Sequence, residues 1–119
     1  MDNRPKTIFC DIDGILLQYD GNIIKQSTIE PVVLEGVWDI LKEWDIKGYK
    51  LILVTGRRES MRHDTEIQLR KAGIFYDQLV MGVTGGVRVL INDRKANSIE
   101  DTAIAINVER NKGLKGIDI

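Results

Sequence analysis

The sequence of 119 residues predicts one α/β domain, with a doubly wound, mostly parallel sheet of about five strands flanked by helices. Two observations predict this fold. Short apolar runs alternate with segments of helical periodicity, and polar loops follow the apolar runs. No repeat or linker interrupts the pattern, so residues 1–119 are expected to form a single domain. Ligands of such sheets bind beyond the carboxyl ends of the strands, which directs attention to the loops there.

The first half of the chain predicts two strands with a helix between them. The apolar run over 6–11 ends on an acid and predicts a buried strand. The Asp-Gly step at 20–21 lies between apolar runs and predicts a hairpin over 15–24. Apolar residues spaced i, i+3, i+4 and i+7 predict a helix over 34–47, and the apolar run over 49–54 predicts the second strand.

The second half predicts one more helix and the remaining strands. Ser60 is expected to cap a helix that runs to Ala72. The runs over 78–81 and 87–91 predict the third and fourth strands, and 103–107 fits either a fifth strand or part of a third helix.

Composition narrows the range of partners. The formal net charge is −1, which gives no electrostatic reason to expect nucleic acid or an anionic membrane as a partner. A lone cysteine, Cys10, excludes an internal disulfide. The polar N-terminus lacks the pattern of a signal peptide, and no apolar stretch is long enough to span a bilayer, so a cytoplasmic location is expected.

Three of the predicted strand ends carry groups suited to phosphate chemistry. Asp11 and Asp13 follow the first strand on the same side of the chain, and Asp93 follows the fourth. Neighbouring carboxylates repel one another unless a cation neutralises them, and Mg²⁺ prefers oxygen ligands. Thr55 and Gly56 follow the second strand and offer a hydroxyl and an unhindered amide to a phosphate oxygen.

These motifs carry a family resemblance over nearly the whole chain, from about Lys6 to Asn107. The segments are Phe-Cys-Asp-Ile-Asp-Gly-Ile-Leu at 9–16, Leu-Ile-Leu-Val-Thr-Gly-Arg at 51–57 and Val-Leu-Ile-Asn-Asp at 89–93. In type and order they resemble the haloacid dehalogenase superfamily of phosphohydrolases. The resemblance implies the Rossmann-like core fold of that superfamily.

The resemblance also implies a mechanism, that of a magnesium-dependent phosphomonoester hydrolase. Asp11 would attack phosphorus and form an aspartyl-phosphate, and Asp13 would act as general acid and then general base. Thr55 would bind the transferred phosphoryl group. Mg²⁺ would be held by Asp11, the backbone carbonyl of Asp13, and Asp93.

One element of the family pattern is missing. The family normally has a Lys or Arg between the third and fourth strands, but Gly-Val-Thr-Gly-Gly at 82–86 has no cation. Arg88 would lie at the start of the fourth strand, about 15 Å from its carboxyl end. Arg57, Arg94 and Lys95 are the substitutes to consider as phosphate-binding cations, and Lys95 is preferred.

The chain leaves no room for a cap domain. About 40 residues separate Asp13 from Thr55, and the predicted hairpin and helix use most of them. An open site is therefore expected, unless a second subunit of a homo-oligomer closes it or the hairpin serves as a flap. A small phosphorylated substrate, such as a sugar phosphate, is suggested by resemblance to small capless members linked to surface-sugar synthesis.

Two other functions fit parts of the sequence. A receiver domain of a signalling pair has a similar length and an acidic site, but it needs adjacent acids after the first strand and an acid after the third. A catalytically weak or inactive module that binds a phosphorylated ligand or a partner protein fits the missing cation. The intact Asp11 and Asp13 favour the enzyme.

Overall fold

The computed structural model describes residues 3–119, which contain a three-stranded parallel sheet and three α-helices. The strands lie in the order β1-β2-β3. They are β1 (Thr7–Cys10), β2 (Lys50–Val54) and β3 (Gln78–Val80). The helices are α1 (Ile23–Gln26), α2 (Val37–Ile46) and α3 (Arg62–Lys71), and a 3₁₀ turn (Glu59–Met61) precedes α3.

The hydrophobic core lies on one face of this sheet. Parallel pairing aligns Cys10 with Leu53, so alternate residues of neighbouring strands share a face. Leu51 and Leu53 of β2 are buried in the same cluster as apolar residues of α2 and α3. The helical members of that cluster are Val37, Leu41 and Trp44 of α2 and Leu69 of α3. Parallel strands joined through a helix are almost always connected by a right-handed crossover. Two such crossovers that advance in the same direction along the sheet would place both helices on the same side, as the shared core cluster indicates.

The opposite face of the sheet carries exposed apolar side chains. Phe9 of β1 and Val80 of β3 point to this face and are 57% and 41% exposed. Helices flank the three-stranded sheet, whereas the doubly wound sheet of about five strands that the sequence predicts is not shown among residues 3–119.

The predicted fourth and fifth strands are absent from residues 3–119. Residues 87–91 and 103–107 have no strand assignment, and Val87 and Ile91 are 95% and 91% exposed. The amides of Gly82 and Val83 donate to the carbonyls of Arg57 and Thr55, at 2.7 and 2.9 Å. These bonds hold the chain at the carboxyl ends of β2 and β3. The apolar residues at 87–91 favour a strand, but a strand forms only when the edge of another strand is within reach. The hydrogen bonds of Gly82 and Val83 keep this segment away from such an edge.

The predicted hairpin over 15–24 is also wrong. The turn forms, with Gly21 at a φ of 97°, but Asn22 then caps α1 by accepting a hydrogen bond from the Lys25 amide at 3.3 Å. An asparagine side chain that caps a helix competes with a strand at that position. The chain near Leu16 pairs instead with the segment before α2. Leu16 O accepts from Leu34 N at 2.9 Å.

The ends of the helices follow the sequence more closely. Gly48 and Gly73 follow α2 and α3 with φ of 77° and 73°, as glycines past a helix end do. Ser60 lies inside the 3₁₀ turn, so the predicted cap is displaced and α3 begins two residues later. No helix among residues 3–119 is both long enough and apolar enough to cross a membrane.

The C-terminal segment is docked on the domain. Leu114 is buried in the core cluster, and its amide donates to the carbonyl of Glu35 at 2.9 Å. Ile117 and Ile119 pack against the same cluster. This docking brings residues 109–111 beside the loop that follows β1, where the candidate site lies.

Candidate functional site

The loop after β1 presents two carboxylates and buries the residue between them. Ile12 is fully buried in the core, whereas Asp11 is exposed and Asp13 is partly exposed. This confirms the alternation predicted from the Asp-Ile-Asp pattern. One oxygen of Asp11, Oδ1, accepts a hydrogen bond from the amide of Ile12 at 2.9 Å. Its Oδ2 accepts no hydrogen bond from residues 3–119 and is available to a ligand.

The surroundings of Asp11 act on its carboxyl group in opposing directions. Although Asp11 is exposed, the neighbouring loops remove part of the water around its carboxyl group. This partial desolvation raises the pKa of Asp11 above its ordinary value, and the charge of Asp13 adds to the rise. The amide of Ile12 and the guanidinium groups of Arg88 and Arg110 lower the same pKa. The net shift is upward. Asp11 therefore lies where a further positive charge would favour its ionised form.

Asp13 is held by a buried arginine. Arg57 is fully buried and donates to both carboxylate oxygens of Asp13, from Nη2 to Oδ1 at 2.7 Å and from Nε to Oδ2 at 2.9 Å. A bidentate arginine pair fixes the plane of the carboxylate as well as its position. Each carboxylate oxygen keeps a second lone pair for other contacts.

The remaining donors of Arg57 connect this pair to α3. Nη1 of Arg57 donates to Thr65 Oγ1 at 3.1 Å and to Gln68 Oε1 at 2.8 Å. Gln68 in turn donates to the carbonyls of Gln26 and Ile29, at 2.7 and 3.0 Å. A continuous buried network thus joins the loops after β1 and β2 to α3 and α1. The sequence makes Arg57 a candidate phosphate-binding cation. In the structure its guanidinium nitrogens all donate to side chains of this network.

Thr55 and Gly56 lie beside the pair, after β2. Thr55 is buried, and its Oγ1 accepts a hydrogen bond from the amide of Arg57 at 3.1 Å. Gly56 passes close to the next loop, since a Cβ at this position would lie 3.0 Å from the carbonyl oxygen of Val83. The close approach explains why a glycine stands here.

The third predicted magnesium ligand is not near the first two. Asp93 and Lys95 lie in the exposed stretch after residue 91, where the Asp93 carbonyl accepts from the hydroxyl of Thr102. Residues 3–119 contain no group of three or more acidic, histidine or cysteine side chains placed to hold a metal ion. The Asp11 carboxylate has a free oxygen that fits a cation, but without Asp93 the predicted ligand set is incomplete.

The sequence missed two cations beside Asp11. The predicted strand over 87–91 would carry Arg88 away from the site. This segment is not a strand in the structure, and Arg88 donates to the carbonyls of Val83 and Gly86 at 3.3 Å. Arg110 comes from a distant part of the chain. No local pattern could have indicated it, because only the docking of residues 109–111 brings it to the loop after β1.

The carboxylates at the end of β1 lie outside the groove beside α3. A groove of about 230 Å³ lies between α3 and the segment after α1, but its walls include none of Asp11, Asp13 and Thr55.

Two solved structures contain chains similar to this one. One is described as the structure of a Pnkp1/Rnl/Hen1 complex, with a TM-score of 0.58 and 34% sequence identity, over 71% of this chain and 30% of that chain. The other is described as the structure of the Pnkp1/Rnl/Hen1 RNA repair complex, with a TM-score of 0.57 and 35% identity, over 71% of this chain and 28% of that one. This chain thus spans under a third of the length of either. No protein-family model and no curated protein matches the sequence.

Proposed function

We propose that this chain is a magnesium-dependent phosphomonoester hydrolase of the haloacid dehalogenase type, with Asp11 as the nucleophile. The observation that carries the proposal is the pair of carboxylates at the end of β1. Asp11 is exposed with Oδ2 free, while Asp13 is held in one orientation by the buried Arg57. One carboxylate can therefore approach a substrate while its neighbour stays fixed for proton transfer.

The proposed chemistry divides between the two acids. Oδ2 of Asp11 attacks phosphorus, the bond from phosphorus to the leaving oxygen breaks, and Asp13 in its protonated form gives that oxygen the proton. Asp13 then takes a proton from a water molecule that attacks the aspartyl-phosphate. Inorganic phosphate leaves, and the carboxylate of Asp11 is restored. The contacts of Arg57 keep Asp13 in place through both steps.

Magnesium would be held by Asp11, the carbonyl of Asp13, and Asp93, and it would neutralise charge between the acids and the phosphate. For Asp93 to take part, residues 87–91 must move. We propose that this apolar segment adds to the open edge of β1 as a fourth strand, within the five-stranded sheet that the sequence predicts. Two exposed features support this. β1 pairs only with β2 in residues 3–119, and Val87 and Ile91 are almost fully exposed.

The substrate that we favour is a phosphate at the end of a large molecule, such as an RNA terminus. Because Asp11 is exposed at the carboxyl end of β1, it can reach a phosphate at the end of a large molecule as well as a small sugar phosphate. The similarity to chains of an RNA repair complex supports this choice, and it also supports a protein partner for this chain. The formal net charge of −1 does not prevent RNA from binding here, because the guanidinium groups of Arg88 and Arg110 lie beside Asp11.

The test is phosphate release from a matched panel. RNA oligonucleotides with a terminal 3′- or 5′-phosphate, sugar phosphates and an aryl phosphate would be incubated with Mg²⁺ or with chelator. The wild type is expected to release phosphate only with Mg²⁺, and Asp11→Asn to abolish release without loss of folding. Asp20→Asn is the control, because Asp20 is an exposed acid in the following turn. Release that survives Asp11→Asn would contradict the proposed nucleophile.

A second candidate is a binding module without turnover. The separation of Asp93 from Asp11 favours it, because the metal ligands are not assembled. This candidate predicts that phosphorylated RNA binds to the wild type and to Asp11→Asn alike, with no release from any member of the panel.

A further inference from the structure

The proposed reaction needs a cation at the phosphate, and three candidates can be compared by their contacts. Arg57 is committed to Asp13, Thr65 and Gln68, and it is fully buried. Lys95 lies in the exposed stretch after residue 91. Arg88 donates through both terminal nitrogens to backbone carbonyls of the loop after β3. It would also leave the site if residues 87–91 joined β1.

The segment that contains Arg110 is fastened to the loop after β1. Asn111 has a φ of 62°, and its side chain both accepts from the amide of Tyr19 and donates to the carbonyl of Tyr19, each at 2.9 Å. The amide of Asn111 donates to the carbonyl of Gly14 at 2.8 Å. Three hydrogen bonds therefore tie Asn111 to the loop that carries Asp11 and Asp13. They do not depend on the position of residues 87–91.

Arg110 lies across this loop with its donors free. Its guanidinium carbon is 5.3 Å from the centroid of the Tyr19 ring, within the range of a cation–π contact. A Cβ at Gly14 would lie only 3.2 Å from Cγ of Arg110, so the arginine stem passes directly over Gly14. Arg110 is exposed, and its guanidinium makes no hydrogen bond or ion pair with residues 3–119. Stacking on Tyr19 restrains the side chain and leaves the planar fork of donors open to an anion.

We propose that Arg110 is the phosphate-binding cation of this site, held over Gly14 by Tyr19 and Asn111, and that it replaces the Lys or Arg missing after β3. This inference rests on the proposed function, because it places the phosphoryl group of the substrate at Asp11. The stem of Arg110 passes over Gly14, three residues after Asp11 in the same loop, so its guanidinium lies on the side of the loop that carries the two acids. A guanidinium can bind two oxygens of one phosphate at once, which suits a group that must hold the phosphoryl oxygens in line.

The experiment measures inorganic phosphate binding and aryl phosphate hydrolysis on the same proteins. The variants are Arg110→Ala, Arg110→Lys, Arg88→Ala and the control Lys112→Ala, which removes an exposed cation two residues away. Binding would be followed by titration calorimetry with Mg²⁺ present. Arg110→Ala should weaken phosphate binding about 10- to 100-fold and lower kcat/KM by about 100-fold or more. Arg110→Lys should recover part of both losses, and Lys112→Ala should change neither by more than about twofold.

The outcomes separate this inference from the proposed function. If the wild type turns over substrate and Arg110→Ala binds phosphate as the wild type does, the proposed role of Arg110 would be overturned, while the proposed hydrolase activity would stand. If Arg110→Ala binds phosphate more weakly but the wild type shows no turnover, the phosphate-binding role of Arg110 would be supported and the proposed hydrolase activity would be rejected. A wild type that binds no phosphate, or a loss confined to Arg88→Ala, would also overturn the assignment. Circular dichroism and thermal unfolding verify that every variant is folded.

Discussion

Arg57 contacts both carboxylate oxygens of Asp13, at 2.7 and 2.9 Å, from a side chain that has no exposed surface. The two residues come from different strand ends, so the pair fixes the loop after β1 against the loop after β2. Burial makes the pair sensitive to the loss of either partner, because the remaining charge would have no compensation.

Arg57→Ala should therefore be strongly destabilising. Removal of one partner from a buried ion pair typically costs about 3–5 kcal/mol, and here Thr65 and Gln68 also lose a donor. The free energy of unfolding in urea measures the loss. Arg58→Ala is the matched control, because Arg58 is the exposed neighbour in the same loop and its removal should cost no more than about 0.5 kcal/mol.

A double variant tests whether pairing is the cause. Arg57→Met combined with Asp13→Leu removes both charges, and such replacements are often neutral or stabilising. Most of the stability lost in Arg57→Ala should return, whereas phosphate release should not. Equal losses in Arg57→Ala and Arg58→Ala would show that the pair does not hold the two loops together.

Docking of the C-terminal segment depends on the absence of a side chain at Gly113. A Cβ there would lie 2.2 Å from the carbonyl oxygen of Glu35, and the φ of Gly113 is 77°. Gly113→Ala should cost at least about 3 kcal/mol, because it adds a backbone clash to a strained conformation. Gly116→Ala is the control. Its φ is 84°, but its Cβ would meet nothing within 4 Å, so only the strain of about 1–2 kcal/mol is expected.

Urea unfolding of both variants checks this difference. A similar loss in the two variants would mean that contact with Glu35 does not hold the segment. Because Arg110 lies in the docked segment, Gly113→Ala should also weaken phosphate binding in the protein that remains folded. Gly116→Ala should bind phosphate as the wild type does.

The elements that the sequence predicted well depend on local signals. The apolar stripe of α2, the glycines after α2 and α3, and the alternation of Asp11, Ile12 and Asp13 all appear in the structure. Each rests on residues a few positions apart, where periodicity and backbone preference decide the outcome. Nearby residues do not determine which strand residues 87–91 would pair with. The predicted fourth strand over 87–91 is absent from the described residues.

The site likewise combines residues that local sequence patterns indicate with contacts that only tertiary packing creates. Asp11 and Asp13 were found from their spacing, whereas the partner of Asp13 was not. The sequence makes Arg57 one of several candidate phosphate-binding cations, because it follows Thr55, and it prefers Lys95. The true contacts of Arg57 require α3 to cross the loop so that Thr65 and Gln68 meet the guanidinium, and this follows from tertiary packing. Arg110 is a further case, because its position depends on the docked C-terminal segment.

Cys10 should resist alkylation in the folded protein. Burial, with a smaller effect from the charge of Asp11, raises the pKa of the Cys10 thiol from an ordinary 9.0 to about 12. The thiolate is the reactive form, so a raised pKa lowers reactivity at every pH below it. At pH 8 the thiolate fraction would be about 10⁻⁴, since pH 8 lies about four units below that pKa.

Mass spectrometry after treatment with iodoacetamide provides the measurement. Labelling at pH 8 should be slower by about 100-fold or more in native protein than in protein unfolded in urea. The rate should rise with pH up to about 12 for as long as the fold persists. Rapid labelling of folded protein at pH 8 would contradict the buried position at the end of β1.

The proposed movement of residues 87–91 makes a prediction about amide exchange. If these residues join β1 when Mg²⁺ binds, their amides gain carbonyl partners and their exchange with solvent slows. We expect exchange over 87–91 to slow by at least about tenfold when Mg²⁺ is added. Amides of β2 are already paired and should change little. Hydrogen exchange followed by mass spectrometry measures both segments in one sample.

Asp93→Asn separates metal-driven strand addition from a general effect of salt. Asp93 is the ligand that the movement would deliver, so its replacement should remove the protection that Mg²⁺ gives to residues 87–91. Asp101→Asn is the control, because Asp101 is an exposed acid of the same stretch, paired with Arg94. Protection in both variants would mean that Mg²⁺ acts elsewhere. No protection in the wild type would leave 87–91 as an exposed apolar segment, and Asp93 would then have no route to Asp11.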